Sequence, residues 1–478
     1  MVLLDGVPPA LITGLTKLAA QLKLPAEFPP EATDEAEELA KDGPIDTSPR
    51  ADLTNLALVT LDPAGSMDLD QAMFIERHDK GFRVWYAIVD LAAWLAPGGA
   101  IDAEARLRGQ TYYAPQTKLP LHPTIISESA ASLLPDGTPR PANVWQIDLD
   151  SAGGVTNYDL IRANVTSRAQ LNYEESQRAL DSGTAAETIK LLKTVGLLRI
   201  QQEAARGGVS LNLPEQEVLS RGAHWRLAFR TPAPIEDWNA QISLLTGFCA
   251  ATTMRHAGVG ILRTLPPVSA HTVDLLRHIA GTLGLNWPDA LNYADFVRSL
   301  NPAQPNDQAM MTSCTALFRG AHYTVIGAKD DTGNMPHGAL AAEYAHATAP
   351  LRRLVDRFTG TICACIIAGT PVPTWIGDAL PDLPAIMADS DRRAKTFERG
   401  VVQLTEALTL SGRVGRQYQG VVIELDPRDP CRGTASIPSL AVEAPVHSAA
   451  PLTLGAVDLM TLEQADISKD VVSFRIDS

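Results

Sequence analysis

Three carboxylates fall within nine residues of the stretch LDPAGSMDLDQA at Leu61–Ala72: Asp62, Asp68 and Asp70. Their loop carries Pro63 and Gly65 and lies between two apolar, strand-forming runs, Leu53–Leu61 and Ala72–Ile75. Like charges this close repel unless cations stand among them. With no Cys or His nearby, the donors are hard oxygens, which suit Mg²⁺ or Mn²⁺ and not zinc. An ion held this way can activate water and neutralise phosphate charge during in-line attack. A solvated polar turn explains the spacing alone equally well.

A second stretch, HGALAAEYAHATAPLRRLVD, runs from His337 to Asp356. Pro350 directly before Leu351, Arg352 and Arg353 predicts a helix beginning there, with Thr348 or Ala349 at its cap. A helix N-terminus beside arginines attracts phosphate, and Arg352 can hold a phosphate oxygen as charge builds. The competing reading is an arginine pair on a solvated face.

The elements that must position these groups follow from periodicity. Residues 1–50 read as a small helical unit, with Ala10–Leu22 amphipathic, Thr33–Lys41 acidic and Gly43–Arg50 a linker. Residues 51 to about 165 are strand-rich, with Phe74–Arg77 and Phe82–Val89 flanking a turn at His78–Gly81. Ile101–Gln110 is a short helix, and Val144–Leu149 pairs with Asn157–Val165. Helices then dominate: Thr188–Ala205, Ile242–His256, Thr272–Leu285, Ala339–Tyr344 and Asp391–Leu410. After Gly412, short β runs alternate with turns to Ile476, the pattern of a compact barrel.

Composition narrows the class. The 478 residues are 45% hydrophobic, enough for about three domains with one large core. No run has membrane-spanning length, and Met1–Leu15 lacks the basic lead of an export signal. The five cysteines, Cys249, Cys314, Cys363, Cys365 and Cys431, are scattered and read as core thiols in a reducing compartment, so a cytoplasmic protein is expected. The net charge of −15 argues against a coat of nucleic acid but not against a strand admitted to an interior channel. The Met310–Met311 pair is read as packing.

The two stretches together resemble the ribonuclease II (RNB) family. Its signature, T-(I/L)-D-P-x-G-S-x-D-(I/L)-D-D-A followed far downstream by Y-x-H-x-T-S-P-(I/L)-R-R-Y-x-D, is met here by TLDPAGSMDLDQA at Thr60–Ala72 and YAHATAPLRRLVD at Tyr344–Asp356. The blocks Ala87–Asp102, Tyr112–Pro123, Ala131–Ala142, Leu171–Glu175 and Arg392–Gly400 are similar as well. The resemblance implies an α+β fold: a catalytic domain at 51–412 with a mixed sheet among helices and a central channel, and an OB-like barrel of ribosomal-protein type at 413–478. Residues 1–50 would form a helical unit, helix-turn-helix-like, where most family members carry two cold-shock OB domains.

The function implied is a hydrolytic, processive 3′→5′ exoribonuclease. It would thread the 3′ end of single-stranded RNA into the channel, act as a monomer and release nucleoside 5′-monophosphates. Carried over residue by residue, Asp62, Asp68 and Asp70 match the metal-binding and water-activating aspartates, and Arg352 the arginine that stabilises the scissile phosphate. Tyr113 matches an aromatic stacked on the 3′-terminal base, Tyr173 a tyrosine against the RNA several nucleotides away, and Glu398 a carboxylate near the terminal ribose. His346 joins them as a further RNA-contact candidate, although a lone His beside apolar residues is more often a core imidazole.

Four departures stand out. Gln71 replaces a fourth aspartate and is expected to offer the metal a neutral amide oxygen. Ala349 and Leu354 replace a Ser and a Tyr, and Gln241–Gly247 lacks the family's acidic residue on a helix. The slighter front predicts better handling of duplexes with 3′ overhangs than in a fully guarded relative. Two rival readings are a catalytically impaired RNA-binding protein on the same scaffold and a metal-dependent phosphodiesterase for small nucleotides.

Overall fold

The computed structural model describes residues 8–114, 117–211, 215–221, 224–301 and 304–477. The first seven residues of the expected N-terminal unit, Pro115 and Gln116 of the Tyr112–Pro123 block, and the final residue of the expected barrel lie outside that set.

At the centre stands a seven-stranded sheet. Its strands in spatial order are Ala51–Asp52, Val155–Val165, Arg140–Leu149, Gly81–Val89, Gln71–His78, Val59–Asp62 and Ala169–Asn172. The four longest form an antiparallel meander, with Tyr86 opposite Met73 on one side and Trp145 on the other. Strict alternation along these strands produces two buried faces. Met73, Ile75, Val84, Tyr86, Ile88, Trp145 and Ile147 meet the helices Glu187–Ala205, Pro234–Ala257 and Leu354–Ile367. Ala72, Ala87, Val89 and Val144 face the helices Pro30–Asp42 and Ala100–Arg108.

The two N-terminal helices bury their apolar residues in different places. Leu11 and Leu15 of Pro9–Gln21 pack with Phe397, Val401 and Leu404 of the long helix Leu383–Leu410. Ala32, Ala36 and Leu39 of Pro30–Asp42 instead join the second sheet face. The expected linker between them and the sheet is pinned: buried Arg50 donates to Asp90 at 2.8 Å and to Asp46 at 3.3 Å.

Five strands, Gln417–Asp426, Asp429–Ile437, Val442–Ser448, Val457–Asp466 and Val471–Ile476, close into a barrel. Val442–Ser448 and Val471–Ile476 pair in parallel, and buried Val422, Ile437, Val442, Met460, Leu462 and Phe474 fill the interior. Between sheet and barrel, Trp287 stacks on Phe296 at 4.0 Å within a helical cluster that takes in Met310 and the barrel's Val421.

Two helical expectations fail. Ala339–Tyr344 forms turns and an isolated bridge, with Ala341 at a positive φ of 51°. The helix expected at Pro350 begins only at Leu354, because Asp356 takes the Ala349 N–H at 2.8 Å and folds Pro350–Arg352 into a turn. Features that went unread include the strand pair Glu215–Arg221/His224–Arg230, the pair Ile261–Thr264/His322–Val325 and the helices Tyr293–Ser299 and Pro305–Cys314, whereas Thr272–Leu285 is met by the helix Ala270–Thr282.

Gly247 lets the second signature segment lie against the helix Pro234–Ala257. A Cβ there would sit 2.1 Å from the Tyr344 ring and 2.6 Å from the Ala345 carbonyl oxygen. Gly247→Ala is therefore expected to destabilise the protein by about 1–3 kcal/mol through overpacking. A urea midpoint unchanged from the parent would refute the close approach.

Candidate active site

The Asp-bearing loop joins two neighbouring strands, so its ends are fixed by the sheet. Asp62 closes Val59–Asp62 and pairs in parallel register with Asn172, which puts Tyr173 beside it. Farther on, Leu69 is fully buried while Asp68 and Asp70 flank it, so alternation turns both carboxylates to the other side. Ser132 fixes this stretch by accepting the Leu69 N–H at 3.0 Å and donating to the Met67 carbonyl at 2.6 Å.

The second signature meets the loop there. The Leu351 N–H donates to Asp70 Oδ1 at 2.7 Å, and Arg352 Nε lies 3.8 Å from Asp70 Oδ2. The Arg352 side chain is 49% exposed, so its guanidinium borders both the acid cluster and solvent. The turn is stitched to the strand Tyr112–Ala114, since Thr111 N–H donates to the Arg352 carbonyl and Leu354 N–H to that of Gly109, each at 3.0 Å. Buried Asp356 accepts from the next arginine, Arg353, at 2.5 and 2.8 Å, so Arg352 is the arginine left facing the carboxylates.

Burial, then the charge of Asp68, raises the Asp62 carboxyl from its ordinary 3.8 to about 6, while Arg352 opposes the shift. Burial also raises Asp70 well above the carboxylate range, against Arg352 and the Leu351 N–H. Such oxygens lack positive charge, and a hard divalent cation would supply it, so the donor set fits Mg²⁺ or Mn²⁺. Asp68 is engaged elsewhere: Lys118 donates to it at 2.7 Å. As the side chains stand, no group of three or more His, Cys, Asp or Glu among the described residues forms a metal cage.

Gln71 departs from its expected part as a ligand. Its Nε2 donates to the Thr348 carbonyl at 2.5 Å, and its Oε1 accepts from the Tyr86 hydroxyl at 2.7 Å. Both ends of the amide thus brace the sheet against the second signature. Gln241 is buried on the far side of its helix, donating to Glu203 at 2.7 Å.

The aromatic candidates divide. Tyr112 is core, edge-on to Phe397, while Tyr113, next along the strand, turns its hydroxyl to Asp68 and keeps 42% of its surface exposed. The Tyr173 hydroxyl accepts from Asn239 at 3.0 Å, and burial with the Asp62 charge pushes it up to about 12. Glu398 lies on the exposed side of the long helix with Lys395 and Asp391 as its charged neighbours, and none of the three clustered aspartates is among them. His346 is bonded to the Tyr323 hydroxyl at 2.7 Å and lies edge-on to Tyr344, and burial together with Arg353, Arg263 and Arg352 keeps it neutral. Its imidazole is thus held by the core through Tyr323.

Sequence reasoning missed Lys118, Tyr86, Asn239 and Thr348. Lys118 lay in a block singled out from the sequence, Tyr112–Pro123, and in the structure it is the cross-strand partner of Tyr113.

The sequence model of the RNB domain matches residues 50–366, well over half of the chain and both signatures. The chain belongs to the RNB domain family. Ribonuclease R of Escherichia coli strain K12 is 26% identical over 402 residues, covering 78% of this chain and 48% of that protein. The chain thus spans about half the length of the curated relatives it matches. Among solved structures, Mycoplasma genitalium RNase R in complex with ribose-methylated single-stranded RNA superposes with a TM-score of 0.86 at 17% identity, over 98% of this chain and 78% of that one. Yeast Ssd1, described as a pseudonuclease, superposes with a TM-score of 0.73 at 15% identity, over 96% of this chain and 59% of that one. At such identities these two likenesses speak to the fold, an RNB domain followed by an OB-like barrel. Among the described residues no helix is long and apolar enough to cross a membrane.

The raised Asp62 carboxyl sets a pH dependence for the RNB domain without metal. The folded chain keeps the Asp62 proton up to about pH 6 and the unfolded chain loses it near 3.8, so stability falls as pH rises through that window. Asp62→Asn is expected to lessen this fall, leaving the part that the raised Asp70 carboxyl contributes, and to leave the metal-free variant more stable than the parent at pH 7. Urea titrations at pH 4 and pH 7 with a chelator present check it; a variant less stable at pH 7 would refute it.

Proposed function

We propose that the protein is a hydrolytic, processive 3′→5′ exoribonuclease that degrades single-stranded RNA to nucleoside 5′-monophosphates. The observation that carries this reading is the meeting of Asp70 with Leu351 and Arg352, which brings two RNB signatures about 280 residues apart to one buried carboxylate. Membership of the RNB family and the RNase R names of its relatives support the same class. We take the protein to work as a cytoplasmic monomer.

In this reading Asp62, Asp68 and Asp70 supply the oxygens for Mg²⁺ or Mn²⁺. The ion, when bound, contributes Lewis-acid activation of water and neutralisation of phosphate charge. Arg352, half-exposed at the cluster's edge, meets the oxygens on which charge builds as the phosphorus becomes pentacovalent. Asp70, fixed by the Leu351 N–H, orients the attacking water. Tyr113 offers an exposed ring for the 3′-terminal base, a contact indifferent to sequence, and Tyr173 lines the same approach from the Asp62 side. Glu398 stands near the terminal ribose only if the long helix delimits the channel, and a 2′-hydroxyl contact there would favour RNA.

A second reading has one observation behind it. Gln71 removes a charge from the signature, and the scaffold is shared with a protein described as a pseudonuclease, which fits an RNA-binding protein without cleavage. The retained Asp62, Asp68, Asp70 and Arg352 favour the enzyme. End-labelled single-stranded RNA with Mg²⁺ or Mn²⁺ separates the two: mononucleotides are expected, and a stable gel shift without products would sink the nuclease. Asp70→Asn should lower cleavage on the order of 10³-fold or more, the scale of losing a transition-state contact, while RNA binding survives. Equal loss of both would make Asp70 structural.

A further inference from the structure

Lys118 stands inside the acid cluster and has no part in the chemistry just described. Its ammonium lies 2.7 Å from Asp68 Oδ1 and 3.0 Å from Glu128 Oε1, and only 23% of its side chain is exposed. It is the cross-strand partner of Tyr113, whose hydroxyl faces the same Asp68 carboxylate, so one hairpin delivers both groups. Glu128 comes from the helical turn Ile126–Ala130, anchored by fully buried Ile126. The ammonium is thereby held from two independent elements.

Charge counting gives this arrangement a consequence. Asp62, Asp68, Asp70 and Glu128 face two fixed cations, Lys118 and Arg352, which leaves two negative charges, the complement of one divalent ion. Gln71 adds no carboxylate, and its amide is already bonded at both ends. We propose that Lys118 is a positioning residue that takes the place of a second metal ion. It occupies Asp68 Oδ1 and leaves the remaining oxygens of the cluster to a single divalent cation. A lysine suits the task because its ammonium is a compact point charge with three donors, able to serve two carboxylates at once. The inference rests on the nuclease reading only in taking the cluster as a cation site.

The test is a count of ions on the whole protein without RNA, from the fall of the free Mn²⁺ resonance during titration. The parent should bind one Mn²⁺ per chain. Lys118→Ala should bind two, because Asp68 and Glu128 are released to an ion, and Lys118→Met, which keeps the apolar stem, should give the same count. Glu128→Gln leaves Lys118 on Asp68 and should still bind one. Two ions on the parent, or one ion of unchanged affinity on both Lys118 variants, would overturn the proposal. If the parent binds two ions and still releases mononucleotides, only this inference fails. If it binds none and cleaves nothing, the nuclease reading falls with it.

Discussion

One hydrogen bond, from the Leu351 amide to the Asp70 carboxylate at 2.7 Å, joins segments 281 residues apart in sequence. Everything around it holds these two segments at that separation. The strand Gln71–His78 fixes Asp70 from one side, with the Asp70 carbonyl accepting the Val89 N–H at 3.0 Å. The Asp356 carboxylate gathers the Ala349 amide and the Arg353 guanidinium from the other. Without that gathering the turn would have no reason to form, since Pro350 alone favours a helix that starts four residues too early.

Assembling acids in a dry place opposes folding, and the molecule limits the cost locally. Each carboxylate of the cluster has a different relief. Asp68 has Lys118, Asp70 has a backbone amide and a guanidinium, and Asp62 has Arg352 alone. Asp62 and Asp70 remain raised, so the site stays short of positive charge. A core built for stability would not keep such a deficit, and the cation site proposed above accounts for it.

Much of this could be read from the sequence. The strand pairs around His78–Gly81 and Gly153–Gly154, the long helix ending at Leu410 and the barrel after Gly412 follow from period and turn residues, which are local properties. The link between Asp70 and Arg352 was legible because both lie in signature motifs. Most of what stayed hidden depends on partners distant in sequence. The turn at Pro350–Arg352 depends on Asp356, the neutrality of His346 on Tyr323 and three arginines, and the commitment of Gln71 on Tyr86 and Thr348. No window of a dozen residues contains the pairing of His346 with Tyr323 or of Gln71 with Tyr86 and Thr348, whereas the Asp356 bond spans seven residues and opposes a local proline signal. The Ala339–Tyr344 segment misled because its composition favours a helix, while tertiary contacts at Gly247 and Leu265 hold it in turns.

Gln71 shows how a motif can lose a charge and keep its geometry. Its amide links the first residue of a central strand to the second signature through Thr348, and Thr348 in turn shares a hydroxyl contact of 2.7 Å with Ser243 on the helix Pro234–Ala257. A carboxylate in its place could accept the Tyr86 hydroxyl, but it could not donate to the Thr348 carbonyl, so an aspartate there would leave that oxygen facing a like charge. The amide therefore does a mechanical task for which a carboxylate is unsuited. The positive charge that a fourth acid would have called for is absent on both sides of the ledger: one fewer anion at Gln71, and Asp68 already neutralised by Lys118. Both features act in the same direction, each making the site less negative by one unit of charge.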